Sequence, residues 1–110
     1  MFWPLAASAE GLSGFEINEK LVGQSIAWAD SNGWSTGSLF LLEGGKAEIT
    51  VDDPKPARDF GIWTLRGNQL CTVWSSMRDN LAKCYTVSET SPGHFVTSGG
   101  NEFEILNIGV

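Results

Sequence analysis

The stretch that decides the fold covers residues 61–74 and has the sequence GIWTLRGNQLCTVW. At its centre, Gly67 and Asn68 are typical of a two-residue turn between antiparallel strands. Apolar residues recur at alternate positions on both sides of this turn, as they do in strands with one buried face. The stretch therefore predicts a β-hairpin, and the other segments can be placed relative to it.

The register of this hairpin follows from its turn, because opposed residues are counted outward from the two turn positions. The pairs on one face are Leu65–Leu70, Trp63–Thr72 and Gly61–Trp74. A glycine opposite a tryptophan packs well, since the indole ring can lie across the space that a missing side chain leaves.

The next strand joins this face if Cys71 lies opposite Cys84. The same count then sets Leu70 opposite Tyr85 and Trp74 opposite Leu81, with the connecting turn at residues 76–79. The predicted core consists of Trp63, Trp74, Leu65, Leu70 and Tyr85.

Glycine, asparagine, serine and proline divide the chain after Gly23 into eight strand candidates. They cover residues 24–29, 34–42, 46–52, 59–66, 69–75, 81–88, 94–98 and 101–108. No connection is long enough for a helical crossover, so neighbouring strands are antiparallel. A sandwich and a closed barrel both accommodate such a series, and we favour the barrel because closure removes exposed strand edges. The prediction is an all-β, eight-stranded antiparallel up-and-down barrel with one short N-terminal helix.

That helix is expected over residues 14–22. Ser13 and Glu16 have the spacing of a capping box, and Gly23 is a natural C-terminal stop. A helix this short is stable only when it packs on another element.

A second hairpin is predicted at Gly44-Gly45. Treated as a two-residue turn, it sets Leu42 opposite Ala47 and turns Leu39 and Leu41 to the outer face. Leucine side chains on the outer face must be shielded from water by another element, and the predicted helix is the nearest element that could pack on them. The alternative is a partner-binding patch, with Leu39 and Leu41 as the first candidates for a dimer contact.

The N-terminus and the cysteines indicate the cellular compartment in which the protein works. Residues 2–9 carry no charge and end in Ala7-Ser8-Ala9, a small-x-small cleavage pattern. We interpret residues 1–9 as a signal-peptide remnant and residues 10–110 as one barrel domain; the alternative is an N-terminal strand or loose arm. Two cysteines in an exported domain of this size indicate one disulfide, whereas a cytosolic domain would keep free thiols.

The charge balance excludes several classes of partner. Acidic residues outnumber basic ones by 13 to 7, which gives a net charge of −6. Nucleic acids and anionic membrane surfaces are bound by clustered Lys and Arg, so neither is an expected partner. No apolar run reaches the roughly 18–20 residues that span a bilayer, so stable membrane insertion is not expected.

Three motifs carry a resemblance to known proteins. They are Gly61-Ile62-Trp63, the pair Cys71 and Trp74, and Cys84. With these motifs the chain resembles an uncharacterised family of small exported bacterial proteins. In size and strand number the chain also resembles calycin-like barrels, which include streptavidin, lipocalins and periplasmic inhibitors of metalloproteases and lysozyme. The Gly-x-Trp motif lies here on the fourth strand, whereas lipocalins carry it on the first. Likeness to the metalloprotease inhibitors implies an N-terminal arm that enters the protease cleft, here residues 10–12.

Residues that could perform catalysis are few. His94 is the sole histidine, and its place after Pro92-Gly93 indicates an exposed turn residue. Asp52, Asp53 and Asp59 surround a loop and are expected to be solvated. We therefore predict no catalytic residues, no metal site and no cofactor.

Two tryptophans mark a candidate binding site at one mouth of the barrel. Trp28 and Trp34 flank a turn that contains Asp30 and Asn32, and these four residues are the candidate ligand contacts. The alternative is that the two indoles close the barrel end.

The expected function is that of a non-catalytic binding protein in the periplasm or outside the cell, whose ligand is a small molecule or an envelope component. The alternative is an exported inhibitor or interaction protein that acts on a partner enzyme through loops or the N-terminal arm. A small hydrolase that uses loop carboxylates is the third hypothesis. An open pocket lined by tryptophan favours the first function, and a filled interior favours the second.

Overall fold

The fold is known from a computed structural model that describes residues 11–77 and 81–106. The helix α1 covers Gly14–Leu21, and the nine strands are β1 Ile26–Ala29, β2 Thr36–Leu42, β3 Lys46–Asp53, β4 Ala57–Arg66, β5 Gln69–Trp74, β6 Lys83–Tyr85, β7 Val87–Ser91, β8 His94–Thr97 and β9 Glu102–Ile105. The predicted signal remnant, residues 1–9, and part of the predicted turn at 76–79 lie outside the described residues.

The strands form one antiparallel sheet that is nearly closed into a barrel. Its order is β6-β5-β4-β3-β2-β1-β9-β8-β7, so the two end strands are consecutive in the chain. Thr86, between them, donates its N–H to Ser98 Oγ at 3.1 Å and accepts the Ser98 N–H at 3.0 Å. The prediction of a mostly antiparallel barrel is confirmed.

The described residues form nine strands, and not eight, because the predicted strand 81–88 is divided. Its first part, β6, pairs with β5, and its second part, β7, pairs with β8. The chain changes partner at Thr86, which lies in neither strand. The predicted segment is therefore divided into two strands, one at each end of the sheet.

The β4–β5 hairpin has the predicted register. Leu65 lies opposite Leu70, Trp63 opposite Thr72 and Gly61 opposite Trp74. A Cβ atom at position 61 would lie 2.8 Å from Cε3 of Trp74, so the indole ring occupies the space beside the glycine.

The β5–β6 pair is as predicted at two positions and differs at a third. Cys71 faces Cys84 and Leu70 faces Tyr85, and the two cysteines form a disulfide. The predicted Trp74–Leu81 pair is wrong, because β6 begins at Lys83 and Leu81 is 61% exposed.

The β2–β3 hairpin corrects the second predicted register. A three-residue loop, Glu43-Gly44-Gly45, joins the strands, and both glycines have φ near +95°. The pairing is therefore Leu41–Ala47 and Leu39–Ile49, one residue away from the prediction. A one-residue shift exchanges the two faces of a strand. Leu39 and Leu41 are buried in the core and need no cover, whereas Phe40 and Leu42 point outward.

The helix closes one end of the barrel. Its N-terminus carries the predicted capping box between Ser13 and Glu16. The Gly14 N–H donates to Asn68 Oδ1 at 3.0 Å, which places this end of α1 on the β4–β5 turn. Ile17 and Leu21 are fully buried and belong to the same core cluster as the inward side chains of the strands.

Candidate functional site

The predicted ligand contact Trp28 points into the barrel. Its indole N–H donates to the carbonyl of Thr50 on β3 at 3.0 Å. Gly37 lies opposite Trp28 on β2, and a Cβ there would clash with the Thr50 carbonyl and approach the indole nitrogen. Gly37 therefore makes the room in which Trp28 crosses the barrel end.

The other three predicted contacts belong to the β1–β2 turn. Asp30 accepts the Trp34 backbone N–H at 2.9 Å and donates its own N–H to the Ser35 carbonyl. Its carboxylate thus organises the turn. Asn32 is exposed, and Trp34 is 79% exposed. The structure brings these residues into one turn but does not direct Trp28 and Trp34 towards a common cavity.

A cavity of about 50 Å³ lies inside the barrel. Trp28, Leu39, Trp74 and Tyr85 are among the residues that line it. Pockets for small organic ligands usually measure roughly 300–1,000 Å³. This cavity accommodates a few water molecules.

A larger open groove, of about 660 Å³, lies on the outside of the barrel along β1, β8 and β9. Ala27, Ala29 and Val96 contribute to its lining, together with the acidic side chains of Glu102 and Glu104. Trp28 lines both this groove and the internal cavity, and Trp34 lines neither. A ligand in such an open groove would keep much of its surface in water, unlike one in an enclosed pocket.

The residues with catalytic potential are committed to structural contacts. Cys71 and Cys84 are joined in the disulfide. His94 is half exposed and lies 3.9 Å from the Glu104 carboxylate on the outer surface. Among the described residues, no three His, Cys, Asp or Glu side chains are grouped so that they could hold a metal ion.

Asp59 differs from the prediction of a solvated loop charge, because it is only 5% exposed. Its Oδ2 accepts the N–H groups of Ser76 and Met77, and its Oδ1 accepts that of Phe60, all at 2.9 Å. Burial raises the pKa of Asp59, but the donors Met77, Ser76 and Phe60 outweigh burial and hold the pKa below its usual value. The carboxylate therefore holds the start of the β5–β6 connection.

The signal for this role was present in the sequence. Asp59 has the same parity along β4 as Gly61 and Trp63, whose side of the strand faces the core. A carboxylate in an inward position requires hydrogen-bond donors.

The outward side of β2, β4 and β5 carries an apolar surface that the sequence analysis did not predict. We call it the outer apolar face, and it consists of Phe40, Leu42, Phe60, Ile62 and Val73. Leu42, Phe60 and Ile62 are 45%, 53% and 54% exposed. Single exposed apolar residues are ordinary, whereas several on one face of a sheet are unusual for a surface in water.

Two charged side chains of β3 lie in the middle of this face. Glu48 is paired with Phe40 on one side and with Phe60 on the other. Lys46 is likewise paired with Leu42 and Ile62. Within residues 11–77 and 81–106 the ion pairs are Lys20–Glu89 and His94–Glu104, so neither Lys46 nor Glu48 has an ionic partner there.

In the described part of the chain, no helix is both long and apolar enough to cross a membrane. Comparison of the chain with models of protein families, with curated proteins and with solved structures finds no match.

Proposed function

We propose that this protein is a non-catalytic, exported binding protein that recognises a partner protein through its outer apolar face. The observation that carries this proposal is the exposure of Leu42 on β2 and of Phe60 and Ile62 on β4, which lie on the same outer face of the sheet on either side of β3. Antiparallel sheets normally present polar side chains to water, so an apolar outer surface is best explained by a partner that covers it.

The interior supports a protein partner over a small ligand. Helix α1 closes one end of the barrel, Trp28 crosses the other, and the cavity between them measures about 50 Å³. The candidate ligand contacts at the mouth are engaged within the fold or directed into water. Because the interior is filled, a partner would bind to the outer surface of the barrel or to its loops.

The remaining chemistry supports the other parts of the proposal. The Cys71–Cys84 disulfide favours an oxidising compartment such as the periplasm or the extracellular space. The buried carboxylate of Asp59 accepts three backbone donors, which suits a structural role rather than catalysis. The antiparallel barrel, together with the one helix of the described residues, supports a relationship to the calycin-like barrels, which we include in the proposal.

Site-directed photo-crosslinking tests the surface directly. A benzophenone amino acid is placed at Ile62, on the β4 part of the face, and at Trp34 as a matched control. Both positions are exposed and apolar, but Trp34 lies on the β1–β2 turn, away from the face. Irradiation in the producing cells should give a covalent protein adduct from position 62 and none from position 34. Absence of an adduct from position 62, or equal adducts from both positions, would contradict the proposal.

A further inference from the structure

We propose that the partner on the outer apolar face is a second copy of this chain, packed face to face about a two-fold axis that passes between Lys46 and Glu48. This inference rests on the proposed function, since it names the partner of the same surface. It is carried by the order of the side chains on β2, β3 and β4.

On β2 and β4, the apolar residues of this face form two parallel rows together with the charged residues of β3. One row is Phe40, Glu48 and Phe60, and the other is Leu42, Lys46 and Ile62. Each row therefore has an apolar residue, then a charge, then an apolar residue. The rows differ in the sign of the charge.

A two-fold axis in the plane of the interface, perpendicular to β3, exchanges the two rows and keeps each strand over its counterpart. Lys46 of each copy then faces Glu48 of the other, so the contact contains two opposite-charge pairs. Phe40 is placed against Leu42 and Phe60 against Ile62. The apolar side chains of β2 and β4 in these rows therefore meet apolar side chains. Val73 on β5 extends the second row and lies at the edge of the contact, over Ser75 of the other copy.

The charges also exclude the other two-fold arrangement. An axis parallel to β3 would place β2 over β4 and keep each row over itself. Glu48 would then face Glu48 of the second copy, and Lys46 would face Lys46. Like charges in a desolvated contact are strongly unfavourable, so the pattern selects one packing and disfavours the other.

The overall charge adds to the specificity of this face. Each chain carries a net charge of −6, so two copies repel when they approach with most of their surfaces. Lys46 and Glu48 cancel, so the contact itself is neutral. Acidic residues such as Glu102 and Glu104 lie on β9, three strands away from β3 in the sheet.

The size of the face sets the expected affinity. The four strands β2 to β5 span about 15 Å at a strand spacing of about 4.8 Å. The two rows are two residues apart along each strand, which is about 7 Å. Even with the margins of the side chains, this footprint is smaller than the roughly 800 Å² per partner of a standard stable interface, so we expect a weak dimer that dissociates in the micromolar range.

Analytical ultracentrifugation of the full chain from about 1 µM to 1 mM tests the proposal. The wild type should change from monomer to dimer across this range. Lys46→Glu and Glu48→Lys each replace two opposite-charge contacts by two like-charge contacts, and each should weaken dimerisation by about tenfold or more. The double variant Lys46→Glu/Glu48→Lys should restore it.

A mixture of the two single variants is the sharpest test. Equal amounts of Lys46→Glu and Glu48→Lys should form a heterodimer, because opposite charges face each other again in both contacts. Lys55→Glu and Glu102→Lys change the net charge by the same amounts outside the face and serve as matched controls. Circular dichroism and the melting temperature verify that all variants are folded.

The outcomes separate this inference from the proposed function. A wild type that stays monomeric at 1 mM, or a mixture without a heterodimer, overturns the second copy as partner. In either case, a crosslinked adduct from position 62 to a different protein leaves the proposed function intact. An adduct of twice the chain's mass, together with the predicted pattern of variants, supports both.

Discussion

Asp59 provides the most direct test of how one side chain holds the end of this barrel together. The change is Asp59→Ala, with Asp59→Asn as the matched variant. Alanine leaves the N–H groups of Phe60, Ser76 and Met77 without their acceptor. Asparagine can keep its one carbonyl oxygen at the Oδ2 position, where it still accepts from Ser76 and Met77. The Phe60 contact and the negative charge are lost.

The magnitude follows from these contacts. A hydrogen bond to a charged acceptor contributes roughly 1.5–3 kcal/mol, and water replaces part of it when the acceptor is removed. We therefore expect losses in the free energy of unfolding of about 4 kcal/mol for Asp59→Ala and about 2 kcal/mol for Asp59→Asn. For a domain of this size, these values correspond to decreases in Tm of roughly 15 and 8 °C.

The pH dependence gives an independent measure of the same contact. The folded pKa of Asp59 lies below its ordinary value of 3.8. The carboxylate therefore contributes stability that is fully present above that value and is lost as the pH falls through the folded pKa. The difference in stability between the wild type and Asp59→Asn should shrink as the pH is lowered below about 4.

Urea unfolding followed by tryptophan fluorescence, at pH 7 and at several values between pH 5 and 2.5, measures both effects. The reasoning is refuted if Asp59→Ala is as stable as the wild type at pH 7. It is also refuted if the stability gap to Asp59→Asn stays constant down to the lowest pH.

Two further predictions concern the β4–β5–β6 region. Replacement of both cysteines, Cys71→Ser/Cys84→Ser, should lower the free energy of unfolding by about 3 kcal/mol, because the disulfide links residues 13 positions apart in the chain. Reducing agent should then have no effect on the variant in urea unfolding but should destabilise the wild type; equal stabilities under oxidising conditions would contradict this. Gly61→Ala should cost about 2–3 kcal/mol, because the new Cβ would meet the Val73 carbonyl and the Trp74 ring. Gly99→Ala, whose Cβ has no neighbour closer than 3.8 Å, should unfold like the wild type in the same assay, and similar losses for both variants would refute the packing argument.

The β4–β5 hairpin could be predicted because its sequence left one choice of register. Gly67 and Asn68 define a two-residue turn, and Trp63, Leu65 and Leu70 alternate with polar residues on either side of it. Turn and alternation agree, and together they determine which side chains face the core.

The β2–β3 hairpin could not be predicted in the same way. Residues 39–42 are four consecutive apolar residues, so alternation does not say which of them point inward. The glycine pair fits both a two-residue turn and a three-residue loop that begins with Glu43. Burial of Leu39 and Leu41 in the folded core decides between them, and that is a tertiary effect.

The missed features of the candidate site follow from this ambiguity. The outer apolar face exists because Phe40 and Leu42 point outward. The predicted β2–β3 register turned both side chains inward, so the face could not be predicted. Its rows also require the pairing of β3 with β4, which no turn in the sequence fixes. The prediction that Trp28 contacts a ligand depended on the direction of its indole ring. Gly37 on the neighbouring strand has no side chain, and this leaves the space in which the ring points into the barrel.

The change of partner at Thr86 has a consequence for how the molecule comes apart. The two ends of the sheet meet in one chain segment, since β6 pairs with β5 and β7 pairs with β8. The two hydrogen bonds between Thr86 and Ser98 extend the β7–β8 pair. Because the disulfide ties β6 to β5, opening requires β7 to separate from β8 and leaves one open sheet that runs from β6 through β3 and β9 to β8. The open sheet would expose the backbone edge of β8, and exchange of strands between molecules would start from that edge.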